Sequence, residues 1–433
     1  MLINKIFGTV GARLLSAILS FTVLIVSTHS FGADGYGVIT MIILSIMFIG
    51  MFNDLMGGGA LVYLIPRNKL SELLSISYTW SFFTALAGSI IAYFFDKELV
   101  GPYALHVFFL AVLHNWFTIN QKVLLGKERI GIFNILIVIQ LFILLSSLFL
   151  FVNLMPGNDP ILYIYALYFS YGLAFLISFS FVFGYLKSEN NKILIRKEVV
   201  KRVISLGFYT QIANLTQFFN YRLTYYFIQT FWISSGGSAA PLGVYGSTNK
   251  IVEGNWLVSK SLSLVQYSVL ANREGEDYAQ NLTLSFLKLS FFVTFLITLV
   301  LVILPGTFYE WLFGGQEFQK IPQLILLLSP GILAVSLNNS ISHYFAGKGL
   351  QRINAIGSLL GFSGTVIAGL LLVPVWGLTG AAITSSIAHV LGTGFMIYIF
   401  IRKTQIKTSD FCLKRTDLNL VKKILANRKN KNS

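Results

Sequence analysis

Acidic side chains are scarce in this chain: Asp and Glu number 17 in 433 residues, and with 32 Lys and Arg only 11% of positions are charged. An ordinary soluble domain carries roughly 25%, and a soluble chain of this length needs more polar surface than that to stay in water. A soluble enzyme is excluded. Cys412 is the single cysteine, which excludes a disulfide framework and a cysteine-rich metal site. The phosphate-cradling motif Gly-x-x-x-x-Gly-Lys-Ser/Thr is absent. Its nearest echo, Gly347-Lys348-Gly349, lacks the metal-binding hydroxyl, so ATP is not expected to drive the chain directly. No Asp-x-Asp motif of nucleotide-sugar transferases occurs. His106, His114, His343 and His389 share no metal-ligand spacing on one helix, so neither metal nor cofactor is expected.

What is abundant is apolar sequence: 55% of residues are hydrophobic and the mean hydropathy is +0.72. Uncharged stretches long enough to span a bilayer recur, among them residues 14–33, 73–95, 99–121, 130–158, 161–186, 289–309 and 321–347. Residues 353–401 are long enough for two helices, broken at Pro374-Val375-Trp376-Gly377. Three further stretches cross with charged interruptions: 35–64 at Asp54, 203–232 at Arg222, and 242–271 at Lys250, Glu253 and Lys260. The expectation is an all-α polytopic membrane protein of twelve transmembrane helices. The N-terminal run after Lys5 imitates a signal peptide, but no small-x-small cleavage site follows and it reads as a retained first helix.

The net charge of +15 follows the topology. Of the 32 Lys and Arg, 25 fall in one set of alternate loops and in the termini, and only Lys97 and Lys320 in the other set. By the positive-inside rule both termini are cytoplasmic. The basic tail 402–433 reads as resting on anionic headgroups, and no nucleic-acid partner is expected. The longest cytoplasmic loop, the basic linker 187–202, divides the chain into an N-lobe (1–186, helices one to six) and a C-lobe (203–401, helices seven to twelve). The halves look alike where their second helices begin: Phe31-Gly32-Ala33-Asp34-Gly35-Tyr36-Gly37-Val38 against Gly236 to Tyr245. An even number of spans per half gives repeats of the same orientation, and the expected architecture is two six-helix lobes around a central cavity.

In order and spacing these motifs resemble a known family. Gly35-Tyr36-Gly37-Val38 with Asp54-Leu55-Met56-Gly57 resembles the second-helix signature of bacterial polysaccharide exporters. Asn220-Tyr221-Arg222 with Leu242-Gly243-Val244-Tyr245-Gly246-Ser247 resembles their seventh-to-eighth helix region. Leu312-Phe313-Gly314-Gly315 with Phe318, then Pro330-Gly331 and Gly347-Lys348-Gly349, and the hairpin from Val373 to Ala382 continue the likeness along nearly the whole chain. The family is the O-antigen and polysaccharide flippase group of the multidrug, oligosaccharidyl-lipid and polysaccharide exporter superfamily. The resemblance implies a bacterial inner-membrane protein that moves undecaprenyl-diphosphate-linked oligosaccharide from the cytoplasmic to the periplasmic leaflet by alternating access. A polysaccharide polymerase is an open partner.

An ionisable residue at the bilayer centre costs about 2.5–3.5 kcal/mol on insertion scales, so each one needs a reason. At 100° per residue, Lys250, Glu253 and Lys260 of the eighth helix fall within an arc of about 80°. Two readings stand: a Lys250–Glu253 pair at i,i+3 with Lys260 snorkelling, or one face of a water-filled cavity that attracts an anion. On the seventh helix Gln211, Asn214, Tyr221, Arg222, Tyr225 and Gln229 share about 100° of arc. Amides and tyrosines suit sugar hydroxyls and ring faces, though amides also serve interhelix packing. Arg13 on the first helix either snorkels to the headgroups or grips a diphosphate bidentately. Lys288 reads as a snorkelling anchor. Asp54 and Glu253 are the candidate coupling or gate carboxylates, with a structural pair as the alternative for Asp54.

Two rivals follow from the same residues. A cation-coupled drug exporter of the superfamily should line its cavity with carboxylates, and here cations outnumber them. A membrane-bound transferase needs a convergent acid–base pair near an interface. Asp54 and Glu253, its only candidates, lie on different helices at depths that differ by about 10 Å.

Overall fold

Helix boundaries in the computed structural model fall where apolar sequence gives way to charge, proline or glycine. The structure describes the backbone of residues 2–155, 157–187, 189, 195–233, 237–270, 276–348 and 350–406, and within these the side chains of all but 2–10, 209, 210, 212, 213, 257, 258, 260–270, 276–278 and 347. Every regular element among the described residues is helical: α1 (Leu2–Gly57), α2 (Gly59–Leu64), α3 (Leu70–Phe95), α4 (Ala104–Gly126), α5 (Ile130–Leu154), α6 (Ile161–Lys187), α7 (Lys197–Ile228), α8 (Ala240–Leu270), α9 (Glu276–Ile303), α10 (Gly306–Phe313), α11 (Ile321–Gly347) and α12 (Gln351–Thr404), with a few single turns between them.

Two of these are too long for one crossing. At 1.5 Å per residue the 56 residues of α1 would span about 84 Å, against a hydrocarbon core of about 30 Å. α1 breaks at Gly32, where φ is 66° and ψ −176°. The 54-residue α12 breaks at Gly377 (φ 52°, ψ −123°), within the Pro374–Gly377 stretch that the sequence marks as a turn. There the chain reverses: a Cβ on Gly380 would lie 2.3 Å from the Leu372 carbonyl oxygen, which a continuous helix would hold about 12 Å away. Among the described residues eight helices are long and apolar enough to span a membrane, the two broken ones included. With the halves of α1 and α12 counted separately, and with α7 and α8, the crossings number twelve. α7 and α8 carry the polar and charged residues singled out above. The chain is a multi-pass, all-α membrane protein.

The chain divides into two compact units, one of residues 1–215, 233–246 and 310–317, the other of 216–232, 247–309 and 318–433. In the first, α3, α4 and α6 are tied by a polar chain: Tyr78 donates to Asn120 Oδ1, and Asn120 Nδ2 donates to Ser178 Oγ at 3.0 Å. Such ties matter in lipid, where apolar helix faces gain little from burying themselves against one another. Leu64, Leu73, Ile119, Val123 and Val203 form its apolar core where α2, α3, α4 and α7 meet. In the second unit Leu287, Ile341, Phe345, Met396 and Phe400 join α9, α11 and α12. Asn255 Nδ2 donates to Thr298 Oγ1 (2.9 Å), and the Trp232 indole donates to the Val373 carbonyl (2.8 Å), which pins α12 just before its break.

The connection between α6 and α7 is anchored to α3 by two carboxylates. Glu189 accepts from the Leu70 and Ser71 backbone N–H groups (2.8 and 3.0 Å) and from the Ser71 hydroxyl (3.1 Å), so it caps a helix more than a hundred residues away in sequence. Glu72, 2% exposed, accepts the Arg196 backbone N–H at 2.7 Å and the Arg196 guanidinium at 2.8 Å. Burial alone would raise the Glu189 carboxyl, but its three hydrogen bonds outweigh this and hold it below the ordinary range. The cap therefore contributes in full above the usual glutamate pKa of about 4.3 and is lost as the pH falls through the depressed value. Glu189→Gln is expected to destabilise the chain at pH 7 by about 1 kcal/mol, with the difference from wild type vanishing in acid. Cleavage of the connection by an acid-active protease, followed from pH 7 down to pH 2, measures both.

Candidate functional site

The charged residues of α7 and α8 meet in the second unit. Arg222 Nη2 lies 2.6 Å from Glu253 Oε1, with side-chain exposures of 16% and 31%. The Arg222 Cζ stands 5.8 Å from the Tyr225 ring centroid, and Tyr225 is buried, so the guanidinium is held by a carboxylate and an aromatic face together. Lys250, one turn before Glu253 on α8, is exposed. The pair formed is therefore Arg222–Glu253 between helices, where the i,i+3 reading of α8 has Lys250 as the partner. Removing water strengthens this attraction and at the same time makes either charge alone expensive.

Beside the pair, the Tyr221 ring packs 5.4 Å from Trp256 and 5.2 Å from His389. Tyr221 and His389 also line a cavity of about 80 Å³ inside the second unit, with Gln217, Asn220, Asn338, Asn354 and Thr393. Asn220 donates to the Ser358 carbonyl (3.0 Å) and Asn354 to the Ser342 carbonyl (3.0 Å). The Oδ1 atoms of both are buried and accept no hydrogen bond from the protein, so the cavity presents acceptors to a donor. Its volume suits a few waters rather than a sugar ring.

In the first unit the two repeat-related motifs touch each other. Asp34 Oδ1 accepts from Ser238 Oγ and from the Ala239 backbone N–H, both at 2.6 Å, and so caps the start of α8 from α1. A Cβ on Gly37 would stand 2.1 Å from the Ala239 carbonyl oxygen, and a Cβ on Gly243 would stand 1.9 Å from that of Ala33. The contact is reciprocal: each glycine receives the carbonyl of the alanine four residues before the other. Only hydrogen at both positions lets the backbones approach so closely.

The other sequence-derived candidates fall as follows. Gln211 is buried and its amide donates to the Met51 carbonyl at 2.7 Å, an interhelix tie within the first unit. Asn214 and Asp54 are half-buried in that unit, where Lys122 is the charge acting on Asp54. Arg13 is exposed on α1. Gln229 is buried in the second unit, where α7 passes into a π-helical turn over Gln229–Ile233. Lys288 is 5% exposed in the interior of α9, which corrects its reading as a surface-seeking anchor. The Lys260 side chain, Cys412 and the tail from 407 lie outside the described residues. Sequence reasoning missed Asp34 as a cap, and Glu72, Glu189 and Arg196 as the anchor of the connection. Asp34 sits just before a helical run, a usual cap position, but the helix it caps lies about 200 residues on.

No family model and no curated protein matches the sequence. Solved structures do. The lipid II flippase MurJ in its inward closed conformation superposes with a TM-score of 0.73 at 14% identity, over 96% of this chain and 91% of that one. An inward-facing multidrug resistance MATE family transporter of the MOP superfamily gives 0.71 at 12% identity, over 90% and 94%. The chain shares its fold with these two proteins. A MOP superfamily transporter from Pyrococcus furiosus, described by a reverse polarity of its binding pocket that suggests a different function, gives 0.57 at 15% identity, over 92% and 96%. The likeness agrees with the superfamily that the sequence motifs resemble, and with its all-helical architecture. At these identities it is a likeness of fold.

Proposed function

We propose that this chain is a flippase that carries undecaprenyl-diphosphate-linked oligosaccharide from the cytoplasmic to the periplasmic leaflet of a bacterial inner membrane by alternating access. The observation that carries the reading is the Arg222 guanidinium, held in place by Glu253 and Tyr225 with Lys250 one turn before Glu253 on α8. A planar, always-charged donor fork suits a phosphate. The structural likeness to a lipid II flippase supports a lipid-linked cargo. Arg13, Arg222, Lys250 and Lys260 are assigned to the diphosphate and leading sugar, and Tyr221, Tyr225, Asn214, Gln211 and Gln229 to the sugars. Asp54 and Glu253 are assigned to the gate or to coupling. The two lobes (1–186 and 203–401), the linker 187–202 and the tail 402–433 on the cytoplasmic headgroups complete the assignment, with a polymerase as an eventual partner. The glycine contact between the motifs of Gly37 and Gly243 is the periplasmic closure in this reading.

Energetics allow the direction without a coupling ion. A diphosphate of roughly two negative charges moving outward, down an inside-negative potential, gains about 2.3 kcal/mol per charge per 100 mV.

The test is a strain deleted for the gene, with undecaprenyl-linked oligosaccharide assayed in each leaflet. Accumulation on the cytoplasmic side is expected, cured by the wild-type chain and not by Lys250→Gln or Arg222→Gln. Lys250 is exposed, so its loss reads the cationic site without a folding penalty. Flipping intact in both variants would falsify the cationic-site account. Normal export together with new sensitivity to cationic dyes moves the chain to the drug-exporter branch.

A further inference from the structure

Arg222 meets a resident anion that is able to leave. Glu253 holds it at 2.6 Å, yet Glu253 is nearly twice as exposed as its partner. The next residue on α8, Gly254, borders open space: a Cβ built there meets nothing within 4 Å. Among the described residues, Tyr221 and Arg222 of α7 face the carboxylate, Tyr225 lies behind the guanidinium, and Lys250 lies one turn before Glu253 on its own helix. Arg222 keeps the Tyr225 ring as support when the carboxylate swings away. Among the described residues the site thus brings together two cations and one carboxylate, with a buried aromatic partner for the arginine and a partly exposed anionic one.

We infer that Glu253 is a built-in counter-anion that a phosphate group displaces from Arg222, so that loading the site is an exchange of one anion for another. The inference rests on the reading of Arg222 as a phosphate-binding residue. It follows from what each state leaves unpaired. A bare guanidinium in a low-dielectric site is expensive, and the Glu253 carboxylate removes that expense whenever no cargo is present. A phosphate offers the guanidinium an oxygen pair in its own plane and carries more charge than the single unit of the carboxylate. It therefore wins the arginine, and Glu253 turns toward the open space beside Gly254 and toward Lys250. Release runs in reverse, with the carboxylate reclaiming the guanidinium. Affinity is held down on purpose, since a carrier that binds its cargo too tightly does not let go.

The experiment is calorimetric titration of inorganic pyrophosphate into the full chain in lipid nanodiscs. Glu253→Gln is expected to bind about tenfold more tightly than wild type, a difference of about 1.4 kcal/mol. Glu253→Asp, which keeps a shorter carboxylate and the local charge, should fall between the two and guards against a misfolded Gln variant. Arg222→Gln and the double variant should not bind. If Arg222→Gln loses binding while Glu253→Gln and Glu253→Asp bind no more tightly than wild type, the exchange is overturned and the phosphate-site reading survives. Binding unchanged in Arg222→Gln, or absent from wild type and every variant, overturns the phosphate-site reading itself.

Discussion

A Gly37→Leu chain is expected to lose the contact between the two repeat-related motifs and, with it, flipping. The Cβ of any larger residue would sit 2.1 Å from the Ala239 carbonyl oxygen, and the obstacle is backbone rather than a side chain that rotates aside. Overpacking costs about 1–3 kcal/mol where side chains share the strain. With backbone opposed the upper end applies, which shifts the contact by about a hundredfold. The Asp34 cap on Ser238 and Ala239 lies next to the clash and opens with it. Cysteines at Asp34 and Ser238 in a Cys412→Ser background report the contact directly: an oxidative cross-link forms in the otherwise wild-type chain and is lost with Gly37→Leu. Gly243→Leu should behave in the same way, because its Cβ would lie 1.9 Å from the Ala33 carbonyl oxygen. A cross-link of undiminished yield in both variants removes the close approach from the closure.

The second large effect is at Arg222. Removing one partner of a buried ion pair costs about 3–5 kcal/mol because the other charge is stranded. With side-chain exposures of 16% and 31% here, solvent recovers part of that, and Arg222→Gln is expected to destabilise the chain by about 2 kcal/mol. Arg222→Gln/Glu253→Gln should recover most of the loss, since a neutral amide pair leaves no charge behind. Thermal unfolding of the four proteins in detergent closes the cycle. Additive losses would show that the contact contributes little, whereas recovery of stability without recovery of flipping separates the structural role of the pair from its role toward cargo.

Helix number and type were legible because lipid leaves little choice. Every backbone N–H and C=O in hydrocarbon must be satisfied within the segment, so long uncharged runs become helices wherever they occur. The break in α12 was equally legible, since Pro374 and Gly377 act on the local backbone alone. The resemblance of Phe31–Val38 to the stretch before Tyr245 was visible as a repeat, but nothing in it said that the two copies meet. That needs Ala33 and Ala239 to present their carbonyls to the opposite glycines, and the two positions are about 200 residues apart.

The polar stripe of the seventh helix shows the same limit. Periodicity places Gln211 and Arg222 on one face of α7, and its members have different neighbours along its length. Gln211 donates to Met51, Tyr221 stacks with Trp256 and His389, and Arg222 pairs with Glu253. Helical spacing is a short-range property and fixes direction only. The partner at the end of that direction belongs to another helix, and only the packing of the tertiary structure decides which one it is. The sequence by itself determined that the chain lives in a membrane, where it crosses, and which residues would be costly to place there. The tertiary structure decided which carboxylate answers Arg222, which helix Asp34 caps, and that two distant glycines let two backbones touch.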